Sequence, residues 1–133
     1  RGKETPSVFV VVDTGADRCM FDDQLALLVG INVYQDGASS RVVGIGGSEE
    51  AAVFPIDVVF PDLDNAAWEI QAQFKRLPDG LSGMLGHGGF LGRMRAEFCH
   101  GREFSLSHIG SVNANALTRV RKPVGRQVYP TSP

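Results

Sequence analysis

Apolar residues along this chain fall in short blocks punctuated by glycine, proline and acidic residues, a pattern of strands and turns rather than of long helices. The first block, Val8-Phe9-Val10-Val11-Val12, is too short for a typical helix and rich in β-branched side chains. Such side chains lose rotamer freedom in helices and fit a pleated surface, so the block predicts a strand buried on both faces. It ends at Asp13, and Thr14-Gly15-Ala16 turns the chain sharply. Asp22 or Asp23 can cap a short helix over 24–28 that Gly30 stops. Residues 31–34 resume a strand-like alternation, and 35–37 is a turn. Arg41-Val42-Val43 and the apolar run 51–54 enclose a glycine-rich tip, Gly44-Ile45-Gly46-Gly47, which predicts a hairpin. Pro55 and Pro61 bracket a further strand over 56–60, and 61–65 is a loop. Residues 68–74 alternate as a half-buried strand does, and 77–80 is a turn. A strand end at Gly83-Met84-Leu85-Gly86 follows, then a closing hairpin of 95–99 and 103–106 around 100–102. From Gly110 onward there is no periodicity, and Pro123, Pro130 and Pro133 discourage regular structure.

At 133 residues, with no internal repeat, the chain predicts one mostly β domain over 1–110 and a basic, flexible tail over 111–133. A net charge of −2 does not suggest a nucleic-acid binder. Charge is uneven, however: no acidic residue follows Glu103, whereas Arg119, Arg121, Lys122 and Arg126 are basic. The segment reads as a solvated tail, with a basic docking segment as the alternative. Cys19 and Cys99 fit no metal or redox spacing, leaving small buried apolar residues or a disulfide open. His100 and His108 read as surface histidines, Trp68 as core or interface packing, and Asp62 and Asp64 as a solvated turn. Neither metal nor cofactor is expected. There is no bilayer-spanning run and no signal peptide, so a cytoplasmic location is expected; the start at Arg1 leaves open a fragment whose anchor or targeting segment lies elsewhere.

The chemistry concentrates at Asp13. An acid at the end of a dry strand is costly unless hydrogen-bonded or paired. One reading is a turn cap. The sharper one is a catalytic carboxylate held by the Thr14 hydroxyl and by backbone N–H groups around Gly15.

Val12-Asp13-Thr14-Gly15-Ala16-Asp17 resembles the active-site motif of the retropepsin-like aspartic proteases, single-lobed and retroviral in type, and is similar to bacterial members. Two later features keep the family's order between about residues 7 and 107. The glycine tip 44–47 resembles the flap that closes over substrate, where glycines let backbone approach a peptide. Gly83-Met84-Leu85-Gly86 resembles the strand end behind the catalytic loop, with Gly86 leaving room for another backbone, and 89–94 the short helix after it. The resemblance implies a small closed, barrel-like β-sheet with a flap hairpin and one or two short helices. The family's strand ahead of the catalytic one has only residues 1–7 to supply it, so it is short, missing or cut off.

The family's mechanism needs two aspartates, and no second Asp-Ser/Thr-Gly occurs here. A single lobe must pair with a second copy, placing Asp13 and its mate across a two-fold axis. Two carboxylates in contact share one proton; one takes a proton from water and the other protonates the carbonyl oxygen of a peptide or protein substrate. The resemblance thus implies a homodimeric endopeptidase with Asp13, Thr14 and Gly15 as its catalytic residues. Ala16, Asp17 and Arg18, with Gly44, Ile45, Gly46 and Gly47, would bind substrate, and Leu85, Gly86 and His87 would support the loop. Thr14 would bond across the dimer, and Asp17 would receive substrate N–H groups and pair with a basic residue. Ala16 stands where pepsin-like enzymes carry a Ser that donates to the carboxylate; without that donor a mildly rather than strongly acidic optimum is expected. Arg18 replaces an acid common in viral members, which changes the preference of the cleft. The clearest departure is His87-Gly88: relatives place a polar residue and then Asp or Asn there to brace the loop. His87 can pair with Asp17 instead, whereas Gly88 has no side chain to contribute. The competing reading is a non-catalytic domain of the same fold that binds peptides or dimerises. A phosphate-binding strand end is the third, but it needs a second acidic motif, and the phosphatases an Asp where this chain has Gly15.

Overall fold

Strand-forming blocks dominate, and the structure, a computed structural model, is mostly β; it describes residues 3–44, 46–108 and 118–121. Nine strands succeed one another among the described residues: β1 Val11–Val12, β2 Met20–Asp22, β3 Ala38–Gly44, β4 Gly47–Phe60, β5 Ala66–Lys75, β6 Gly83–Leu85, β7 Met94–Cys99, β8 Glu103–His108 and β9 Thr118–Arg121. Six form one sheet in the order β1-β6-β2-β5-β4-β3, and β7-β8-β9 form a second. One crossover positions the Asp13 loop. β6 is inserted between β1 and β2, parallel to the first and antiparallel to the second. The end of β1 and the chain that leaves it are thereby fixed to a segment some seventy residues later, with Val12 opposite Leu85.

The expected closed, barrel-like sheet is not formed: the six-stranded sheet is open, with β1 and β3 at its edges. Closure would need the first strand to reach the far edge, and β1 pairs over only Val11 and Val12. The strand buried on both faces is corrected for the same reason. Val8 and Phe9 precede β1 in chain without regular structure, and Phe9 is 99% exposed. An edge strand has a neighbour on one side only, so β-propensity alone cannot bury its approach.

The helix over 24–28 forms as α1, Asp23–Leu28, with Asp22 as its cap accepting from the Gln24 N–H. Residues 31–34 are not a strand. Asn32 accepts from the Tyr34 N–H and starts a second short helix, α2, Val33–Asp36. Its end is seated on β4 at Gly37, where a Cβ would lie 2.6 Å from both Val33 O and Val53 O. The Tyr34 hydroxyl donates to Asp23 at 2.7 Å and ties the helices together. Partial burial, then that bond and the nearby charges of Asp23 and Asp22, push the phenol up to about 12.

The hairpin with the glycine tip is present as β3 and β4, Gly44 opposite Gly47. β4 runs on through Pro55, so the two strands expected around that proline are one. β3 stops pairing at Val53, leaving β4 one neighbour at Pro55, where a missing N–H is tolerated. The expected short helix at 89–94 is a single 3-10 turn, Leu91–Arg93. Thr118–Arg121, expected within a tail, pairs with β8; 109–117 and 122–133 lie outside the described residues.

The core lies between the layers around Phe90, Cys19, Val33, Ala72 and Phe74, and Met94 and Leu106 join the second sheet to it. Burying Phe90, 1% exposed and 5.1 Å from the Phe60 ring, contributes roughly 2–3 kcal/mol. Both cysteines are free: Cys19 fills the core and Cys99 is exposed. Burial pushes the Cys19 thiol up, against a hydrogen bond from the Gly86 backbone. No helix among the described residues is long and apolar enough to cross a membrane.

Candidate functional site

Asp13 is the first residue after β1, and its position is set by the inserted strand. Its N–H donates to Leu85 O at 3.0 Å, continuing the β1–β6 ladder by one bond. The chain then turns, Ala16 N–H donating to Asp13 O at 3.2 Å. Within that turn Gly15 N–H donates to Asp13 Oδ1 at 2.9 Å, which orients the carboxylate. A Cβ at Gly15 would stand 3.3 Å from that oxygen, so glycine keeps the approach open. Among the described residues the Thr14 hydroxyl does not share in holding the carboxylate; Thr14 is exposed and Asp13 half-buried.

The rest of the loop is laced to the residues after β6. His87 N–H donates to Ala16 O at 2.9 Å and Gly88 N–H to Asp17 O at 2.7 Å, and Arg18 bridges Gly88 in parallel. Gly86 is buried beneath them, where a Cβ would lie 2.5 Å from Arg18 O and 2.6 Å from Ala16 O. His87 does not pair with Asp17. Its Nε2 stands 2.6 Å from Thr14 O, and because a carbonyl only accepts, that nitrogen carries the proton. The bracing that a side chain at 88 would give is supplied here by backbone bonds from 87 and 88 and by the imidazole. Gly88 suits this arrangement, since a Cβ there would fall 2.9 Å from Asp17 O.

The structure therefore gathers Asp13, Thr14, Gly15, Ala16, Asp17 and Arg18 with Leu85, Gly86 and His87. It does not bring the hairpin tip to them. Gly44, Gly46 and Gly47 lie on the β3–β4 hairpin, at the opposite edge of the sheet from β1, and Ile45 lies outside the described residues. The stem of that hairpin does approach the loop. Val53 shares with Arg18 a groove of about 460 Å³, lined also by Glu69, Ile70, Gln71, Gly88, Gly89 and Arg93. Neither Arg93 nor Glu69 stands out in the sequence: both line the groove only once the chain is folded, and Arg93 lies over Trp68, twenty-five residues away in the chain. No cluster of three or more metal-ligating side chains occurs among the described residues. Comparison of the chain with protein-family models, with curated proteins and with solved structures finds no match.

Proposed function

We propose that this chain is one half of an aspartic endopeptidase of the retropepsin-like kind, active as a homodimer. The observation that carries the reading is the Asp13 carboxylate itself. It is half-buried, held through one oxygen by Gly15 N–H, and set at the end of the edge strand of an open sheet. A carboxylate so placed has fixed geometry and an open side, and a second copy related by a two-fold axis would bring its own Asp13 to that side. The inserted β6, with Gly86 under the loop, supports the finer assignment of the fold.

In the proposed reaction the two carboxylates hold one proton between them. The ionised one takes a proton from water as its oxygen attacks the scissile carbonyl carbon; the protonated one gives its proton to the carbonyl oxygen. Collapse of the tetrahedral intermediate breaks the C–N bond, with a proton passing to the leaving amine. Thr14, exposed beside Asp13, is available to the second copy, and Asp17 to substrate N–H groups. The test is an unbiased peptide mixture incubated with the protein across pH. Cleavage is expected with a mildly acidic maximum, and suppression by a transition-state inhibitor of aspartic proteases. Peptide binding without cleavage at any pH would overturn the reading in favour of a non-catalytic domain.

A further inference from the structure

The groove beside the Asp13 loop carries charge in an unusual arrangement. Three charged side chains line it, Arg18, Arg93 and Glu69, and the balance is positive. Among the described residues neither guanidinium is ion-paired; the Lys75–Glu49 ion pair lies elsewhere. Arg93 is nevertheless held in place. Its guanidinium lies over the Trp68 ring, 5.5 Å from the centroid. That ring is itself fixed, donating from Nε1 to Gly89 O at 2.7 Å and lying 4.9 Å from the Phe60 ring. A contact with a ring face uses no lone-pair acceptor, so the guanidinium keeps N–H donors with which to fork onto a carboxylate. Arg18 reaches the same groove from the catalytic loop, where the Gly88 bridge anchors its backbone. In the same lining, Val53 and Ile70 supply an aliphatic surface.

We infer that this groove is a substrate subsite selecting an acidic side chain, its carboxylate taken by Arg18 and Arg93 and its methylenes laid on Val53 and Ile70. The inference rests on the peptidase reading and adds the substrate class. Arg93 is prepositioned by Trp68, so little ordering is needed on binding. Glu69, also in the lining, opposes a second acid nearby and limits the preference to one position of the peptide.

The experiment compares peptides that differ only by Glu against Gln, placed in turn at each position flanking a cleaved bond. At one position the wild-type protein is expected to favour Glu by about tenfold in kcat/KM, the gain of a charge-assisted bond over a neutral one. Arg18→Gln and Arg93→Gln should each reduce that ratio to roughly threefold or less, and added salt should shrink it in the wild type. A ratio within one variant is unaffected by how much protein folds, and melting curves check the fold separately. Equal cleavage of the Glu and Gln peptides, or a preference that survives in both variants, would overturn the inference and leave the peptidase reading standing. Failure to cleave any peptide would overturn that reading, and the subsite with it.

Discussion

Asp13→Asn is expected to reduce peptide cleavage by at least about 10³-fold while leaving the fold unchanged, the scale on which positioned acid–base groups act. The structural side rests on one hydrogen bond. Asp13 Oδ1 accepts from Gly15 N–H, and the amide oxygen of Asn can accept from the same donor. The backbone bond from residue 13 to Leu85 O and the turn closed by Ala16 N–H do not involve the side chain. The loop is therefore kept while the group proposed to take a proton from water is removed. Cleavage assays beside thermal melting separate the two effects. Cleavage at the wild-type rate by the pure variant would remove Asp13 from the mechanism.

Gly86→Ala should be the most damaging small substitution in the site. Its Cβ would stand 2.5 Å from Arg18 O, 2.6 Å from Ala16 O and 2.9 Å from Arg18 C, all of them backbone atoms. Ala16 O cannot swing aside without releasing the His87 N–H that it accepts. Overpacking of this kind costs about 3 kcal/mol, which for a domain of this size lowers Tm by roughly 10 °C. Gly46 provides the contrast, since a Cβ there meets nothing within 4 Å; Gly46→Ala should change stability by less than about 0.5 kcal/mol. A Gly86→Ala protein as stable as the wild type would contradict the close passage of the 16–18 segment over β6.

Much of the site's framework could be read from the sequence because its signals are local. Asp22 before an apolar run announces α1, and the glycines at 44–47 between strand-like runs announce a hairpin. Gly86 following two apolar residues announces a place where backbones meet. What could not be read depends on which segments become neighbours. The Val8–Val12 run has the composition of a buried strand, but its depth depends on the sheet order, and β1 is at an edge. Residues 31–34 alternate like a strand, yet the Asn32 cap and the seating of Gly37 on β4 make them a helix. Pro55 reads as a break unless it is known that β3 has already ended. β9 has no periodicity of its own and pairs along β8. The brace from His87 to Thr14 O and the stacking of Arg93 on Trp68 join residues seventy-three and twenty-five apart, where spacing carries no signal.

Each proposed catalytic site is built from two copies of Asp13, and mixing two forms of the protein tests this directly. Wild-type and Asp13→Asn chains are combined at constant total concentration, allowed to exchange, and assayed for peptide cleavage at each proportion. If both aspartates are required, only dimers with two wild-type copies cleave, and activity varies as the square of the wild-type fraction, about one quarter at equal parts. Activity in simple proportion to the wild-type fraction, about one half at equal parts, would show that each chain works alone and would contradict the dyad.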